Sequence, residues 1–174
     1  HHIASLRDRL STMSGAVAIF KVGGASESEM RERKDRVEDA INAVTAALSE
    51  GIVSGGGAAL LHCVSPLSKH FLKIALTQEE RIGVDIVTKS IKSPFIQILT
   101  NAGVDYHEFM EKIIKSKNTV CGFNALFNSF EGDMLEAGIV DPAKVVRSAL
   151  ENAASASGTL LTTEVTISTE EPKE

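Results

Sequence analysis

The sequence predicts a mainly α-helical fold with small β appendages, and three observations carry that reading. Apolar residues recur at intervals of three and four through most of the chain, the spacing that gathers side chains on one face of a helix. Helix-start signals precede two of those stripes, Ser26 with Glu29 three residues on, and Asp141 followed by Pro142. Strand-like composition is confined to short runs at 16–22, 120–124 and 162–168.

Ile3, Leu6 and Leu10 repeat at helical spacing around Arg7, Asp8 and Arg9, so an amphipathic helix is expected here, after a His1-His2 pair that looks like the stub of an affinity tag. Residues 16–22 are rich in strand formers and stop at Gly23-Gly24, which predicts a short strand ending in a turn. The capping box at Ser26 then opens a long helix whose stripe of Met30, Val37, Ile41, Val44 and Leu48 runs to Gly51. After Gly55-Gly56-Gly57, residues 58–64 read as a helix ahead of Pro66, and residues 79–92 as another with Ile82, Val84, Ile86 and Val87 as its core face. Pro94 opens a short helix to about Asn101, and residues 106–116 form a further one. Residues 120–124 are too short to decide between strand and loop. Asp141 is expected at an N-cap with Pro142 in the first turn, leading into Val145, Val146 and Leu150. Thr163, Val165 and Ile167 alternate as in a strand over 162–168, and 170–174 form a charged tail.

Composition bounds the possible functions. A chain of 174 residues is long enough for one domain with its own core, or one domain with an appendage, and too short for a complete multi-domain machine. With 43% hydrophobic and 24% charged residues it carries the apolar surface needed to offset the entropy of ordering the chain. A net charge of −5 without any dense Lys or Arg run gives no electrostatic footprint for nucleic acid or for an anionic membrane. Cys63 and Cys121 stand far apart, with no C-x-x-C and no histidine pair at zinc spacing, so neither a disulfide nor a metal is assigned and a reducing compartment is expected. His62, His70 and His107 read as surface or packed histidines. No apolar run reaches the roughly 18–20 residues that span a bilayer.

Four places could carry chemistry. Asp39 falls about 200° round the long helix from Val37 and so stands off the apolar stripe, beside the small residues Asn42 and Ala43, where a carboxylate can reach a ligand, metal ion or water. A solvated charge paired loosely with Arg36 is the plainer reading. Ser54-Gly55-Gly56-Gly57 precedes a helix, so its backbone can approach a ring or phosphate closely, although a plain interhelix turn uses the same residues. No G-x-x-x-x-G-K-[ST] phosphate loop occurs. Asp141 serves as an N-cap without needing a ligand, and Asn124 either presents its amide to a base edge or holds a turn.

Read together, the motifs have a family likeness. Lys34-Asp35-Arg36-Val37-Glu38-Asp39-Ala40, then Glu50-Gly51-Ile52-Val53-Ser54-Gly55-Gly56-Gly57-Ala58-Ala59-Leu60, resemble the group I (GroEL-type) chaperonin signature joining the intermediate and equatorial domains. Gly138-Ile139-Val140-Asp141-Pro142-Ala143-Lys144-Val145 and Leu160-Leu161-Thr162-Thr163-Glu164 match later motifs of that family in the same order. The resemblance implies the C-terminal part of an equatorial-domain helical bundle with a long intermediate-domain helix and short β-strands. It assigns 1–15 to a tag remnant and the end of an apical or intermediate helix, 16–49 to the intermediate domain and 50–174 to the C-terminal half of the equatorial, ATP-binding domain.

The same resemblance makes Asp39 the catalytic carboxylate that promotes attack of water on the γ-phosphate. It places Gly55 and Gly56 along the nucleotide, Asn124 and Ala125 beside adenine and Asp141 on the ribose. The cofactor implied is ATP or ADP with Mg2+, its phosphate loop and main metal carboxylates lying outside these residues, as does the apical domain that grips polypeptide. The partners implied are identical subunits in a heptameric ring, a co-chaperonin and unfolded polypeptides, with no nucleic acid and no membrane. The 174 residues alone are therefore expected to be mostly monomeric with negligible ATPase activity. Two departures stand out: Ile96 takes the place of an arginine used in ring–ring contact, and Leu126 replaces a smaller residue beside adenine. Residues 96–104 and 111–124 look more like mitochondrial than bacterial members, which implies the mitochondrial matrix, with the bacterial cytoplasm or another organelle as the alternative. The competing readings are a non-catalytic helical interaction module and, more remotely, a small-molecule phosphotransferase.

Overall fold

The computed structural model describes residues 5–6, 9–10, 13, 18–74 and 76–168, and the chain forms two compact units, His1–Asn42 and Ala43–Glu174. In the first unit Leu6, Arg9 and Leu10 are helical, as the spacing predicts, as are Ser5 and Met13, while Ile3, Arg7 and Asp8 lie outside the described residues. Residues 18–22 form no strand, which corrects the expectation over 16–22, whose first two residues are not described. Strand-forming side chains fit a pleated, half-buried surface, and among the described residues no neighbouring strand supplies one here.

Helix α1 (Glu27–Glu50) begins where the capping signal places it. The Glu29 N–H donates to Ser26 Oγ at 3.2 Å, and Glu29 Oε2 accepts the Ala25 N–H at 2.7 Å, so two otherwise unpaired amides are satisfied. Along its exposed side Glu27–Arg31 (3.1 Å) and Glu29–Arg33 (2.8 Å) form one-turn ion pairs, and Glu32 pairs likewise with Arg36. No residue of α1 is buried, and Met30, Ile41, Val44 and Leu48 stay exposed. The apolar stripe exists, with Val37 half-buried and its other four members largely exposed.

The second unit continues with β1 (Ile52–Ser54), α2 (Ala58–Phe71), α3 (Gln78–Ser90), α4 (Ser93–Asn101), α5 (Tyr106–Lys115), β2 (Gly122–Asn124), β3 (Ser129–Glu131), β4 (Val140–Pro142) and α6 (Ala143–Leu161). β1 pairs antiparallel with β4, Val53 opposite Asp141, and β2 pairs antiparallel with β3, Phe123 opposite Phe130. The core is Leu61 and Val64 of α2, Ile91, Phe95 and Leu99 of α4 and its approach, Ile113 of α5, and Cys121 and Phe123 at β2. Phe109 meets Phe123 edge to face at 4.7 Å between centroids, so α5 packs directly on the strand.

Local chemistry explains most boundaries. α2 runs on through Pro66 to Phe71 rather than stopping near 64. Proline removes the N–H that would bond to the His62 carbonyl without ending the helix. α3 starts at a second capping box, Thr77 Oγ1 accepting the Glu80 N–H at 3.3 Å and Glu80 Oε2 accepting the Thr77 N–H at 2.8 Å. α4 carries Pro94 in its first turn, and Asp105 caps α5 by accepting the His107 N–H at 3.0 Å.

Three expectations are corrected. The face of Ile82, Val84, Ile86 and Val87 is not core: Val84 is half-buried and the other three are exposed. Asp141 is not the N-cap of the last helix, because pairing with Val53 draws it into β4 and shifts that position to Pro142. Residues 163–168 do not form a strand, since no partner strand lies alongside among the described residues, and residues 170–174 fall outside those described. Among the described residues no helix is long and apolar enough to cross a membrane.

Candidate functional site

The corner between β1 and α2 is built from three glycines, constrained by packing, by backbone conformation or by both. A Cβ on Gly55 would stand 3.1 Å from the backbone of Ile139 and Val140, and the Gly55 N–H donates to the Ile139 carbonyl at 2.9 Å. A Cβ on Gly57 would stand 2.8 Å from the Phe95 backbone nitrogen. Gly56 has ordinary space around it, its nearest neighbours being Met134 Cε at 3.7 Å and the Phe123 carbonyl oxygen at 3.8 Å, but its φ of +65° is one that glycine adopts without strain. Packing constrains the outer two positions, and a positive φ constrains Gly56 and Gly57 alike.

Asp141 sits half-buried across from this corner and its carboxylate accepts the Gly56 N–H. Burial pushes its pKa above the ordinary aspartate value, and the Gly56 bond offsets part of that rise by favouring the charged form. A carboxylate oxygen pair has about four lone-pair directions, so the bond to Gly56 leaves Asp141 able to accept from further hydroxyl donors.

Asn124 ends β2 and is buried, its Oδ1 accepting the Leu126 N–H at 3.1 Å to close the turn over 125–128. The turn-holding use of this side chain is thus the one the fold employs, and it leaves the Nδ2 amide uncommitted by that bond. Ala125, Leu126 and Phe127 are exposed on the turn, and Asn128 takes a φ of +50°. β2 is held against the corner by a relay of backbone bonds: Met134 N–H to Val120 O (2.9 Å), Ile139 N–H to Met134 O (2.8 Å), Gly55 N–H to Ile139 O. Gly122 completes the fit, since a Cβ there would meet Met134 Sδ at 2.8 Å. Gly55, Gly56, Asn124, Ala125 and Asp141 therefore lie on adjoining segments of one unit.

Asp39 belongs to the first unit, on the exposed surface of α1. The loose pairing with Arg36 is replaced, because Arg36 binds Glu32 one turn back, and among the described residues no side chain bonds to the Asp39 carboxylate.

Two features escaped the sequence. Arg147 on α6 grips Glu50 with a fork, Nε to Oε2 at 3.0 Å and Nη2 to Oε1 at 2.7 Å, while Nη1 binds both carboxylate oxygens of Glu151 at 2.8 and 2.9 Å. The fork holds Glu50 below the usual carboxylate range, and the two acids raise the arginine further. The i,i+4 spacing of Arg147 and Glu151 was visible; the distant Glu50 was not. His62 on α2 is the other, its Nε2 lying 2.7 Å from the Cys121 carbonyl oxygen just before β2. An open groove of about 820 Å³ runs beside β1 and α2, lined in part by Val53, Cys63, His70, Phe71 and Leu135.

A helical domain whose glycine corner faces a half-buried carboxylate and an asparagine turn is the class of structure that fold and site define here. A profile of the TCP-1/cpn60 chaperonin family matches residues 5–171, and the chain belongs to that family. Chaperonin GroEL 2 of Cereibacter sphaeroides is 48% identical to it over 162 residues, 93% of this chain and 29% of the relative, and the protein of that name from an individual strain of the species matches to the same extent. The chain thus spans 29% of the length of the curated relatives it matches. Both relatives are bacterial, so the mitochondrial likeness of residues 96–104 and 111–124 draws no support from them.

Proposed function

We propose that the chain is part of an ATP-driven, ring-forming chaperonin subunit that assists the folding of polypeptides, with the second unit forming the adenosine side of the nucleotide site. The observation that carries this reading is the Gly56 N–H donating to the Asp141 carboxylate at a corner where a Cβ on Gly55 would crowd backbone and one on Gly57 would clash with it. Membership of the chaperonin family, shared with relatives named as GroEL chaperonins, gives that corner its context. The donor set suits an adenosine moiety. Gly56 presents backbone without a Cβ, Asp141 accepts from the paired hydroxyls of a sugar, and Asn124 with Ala125 borders a flat ring.

ATP with Mg2+, when bound, supplies the phosphoryl bond whose hydrolysis drives the working cycle. Asp39, standing on the exposed face of α1, orients a water and takes up its proton at a carboxylate oxygen, so the protein contributes alignment and charge placement rather than covalent chemistry. Asp141 and the Gly56 backbone fix the sugar and exclude alternative poses. Partners follow from the same reading: identical subunits in a heptameric ring, a co-chaperonin and unfolded polypeptide. The compartment is a reducing one, the bacterial cytoplasm or the mitochondrial matrix.

Titration of the full-length protein with a fluorescent ATP tests the proposal. Saturable binding that Gly56→Val weakens by ~10-fold or more supports it, because a Cβ-branched residue both strains a positive φ and occupies the approach. No saturable binding by the wild-type protein would leave the non-catalytic interaction module as the better reading. In the same protein Asp39→Ala is expected to keep nucleotide affinity while lowering turnover ~100-fold or more, the loss typical of a positioned general base.

A further inference from the structure

From the contact between His62 and Cys121 we infer that His62 is a positioning residue that sets nucleotide affinity by tying the helix after the glycine corner to the strand that presents Asn124. This inference rests on the nucleotide reading of the corner.

The geometry is specific. His62 lies just over one turn into α2, the helix whose first residue follows Gly57, and is half-buried. Its Nε2 is 2.7 Å from the carbonyl oxygen of Cys121, the residue before β2. A carbonyl only accepts, so Nε2 carries the proton and His62 donates. The Cys121 thiol, 3.9 Å from the same nitrogen, is turned instead to the Asn118 carbonyl at 3.2 Å, and Cys121 is almost wholly buried. Loss of the imidazole therefore leaves a carbonyl at the edge of the core without this donor.

The link matters because of what stands at each end of it. On one side the corner holds Gly56 in a left-handed conformation with its N–H on Asp141. On the other, Gly122-Phe123-Asn124 are all buried, and the Phe123 carbonyl faces the Gly56 α-carbon region at 3.8 Å from where a Cβ would stand. The remaining bonds between these segments pass through residues 134–139, so the relay Val120–Met134–Ile139–Gly55 is indirect. His62 is a direct side-chain bond between α2 and the approach to β2. Helix α2 is also short of one backbone bond at this point, since Pro66 has no N–H to give to the His62 carbonyl, and the side-chain bond anchors that weakened turn.

The test uses the full-length protein with His62→Leu and His62→Gln, the second of which restores an amide N–H donor of similar reach. Two quantities are read: the dissociation constant for a fluorescent ATP, and amide hydrogen exchange at residues 122–124 without nucleotide. The expected result is that His62→Leu weakens binding about 5- to 10-fold and speeds exchange at 122–124, and that His62→Gln returns both most of the way. Unchanged affinity in His62→Leu alongside faster exchange would overturn the positioning role and leave a purely structural one. Unchanged exchange would overturn the link itself. If the wild-type protein fails to bind the nucleotide, the proposed function falls and this inference with it, whereas the other two failures leave that function standing.

Discussion

Gly56 and Gly57 are adjacent, both have positive φ, and the structure predicts unequal costs for the same substitution. In each, alanine must adopt a left-handed conformation, which costs about 1 kcal/mol, and in each it restricts the unfolded chain equally, so that contribution cancels in the comparison. The difference is in what the methyl group meets. At Gly56 the nearest atoms are 3.7 and 3.8 Å away, ordinary contact, and the nearer is the mobile end of Met134. At Gly57 the methyl lands 2.8 Å from the backbone nitrogen of Phe95 and 3.1 Å from its Cα, within α4 and over the core. Backbone in a packed helix does not swing aside, so overpacking adds about 2 kcal/mol. Urea unfolding followed by circular dichroism reads this directly. With a slope of ~2 kcal/mol/M, Gly57→Ala should unfold about 1 M earlier than Gly56→Ala. Equal midpoints, or the reverse order, would refute the claim that packing constrains Gly57 beyond the conformational demand it shares with Gly56.

Other consequences can be measured in the same way. Phe95→Ala should cost about 3–5 kcal/mol, because the ring is fully buried between α2, α4 and α5, and a loss under about 1 kcal/mol would mean that the core lies elsewhere. Asp141 has a folded pKa above its unfolded one, so the native state holds the proton more tightly and stability falls as pH rises from the unfolded to the folded value. Asp141→Asn should flatten that part of the stability profile, and an unchanged slope counts against the burial of the carboxyl. Glu50 has the opposite sign: its pKa is lowered by Arg147, so its contribution is present above the usual carboxylate range and is lost as pH falls through the lowered value. In Arg147→Ala the Glu50 carboxyl, followed by NMR titration, should move back up toward its ordinary range.

The helices were legible because their signals are local. Ser26 with Glu29 marks the start of α1 within a few residues, and Pro94 marks that of α4. Thr77 with Glu80 carries the same capping pattern and was equally readable. The strands were not, since a strand is a pair, and the alternation at 162–168 or the β-branched run at 16–22 reports propensity without saying whether a neighbour exists. Among the strands that do form, β1 and β4 have three residues each and are joined across most of the second unit. That pairing is also why Asp141, correctly noticed as an aspartate before proline, faces Gly56 instead of capping α6. The exposed faces of α1 and α3 mislead for a related reason, because periodicity tells which side of a helix is apolar and not whether this chain covers it. At the site, the glycine corner was visible as a motif, but its meeting with Asp141 is a long-range contact that only family likeness anticipated. Spacing arguments passed over the His62 link altogether.

The most direct test is the structure of the intact subunit with Mg2+ and ATP or ADP bound. The account predicts the nucleotide's ribose within hydrogen-bonding distance of Asp141, its base beside Asn124 and Ala125, and the backbone of Gly56 against it. Nucleotide bound away from Gly56 and Asp141 would contradict it.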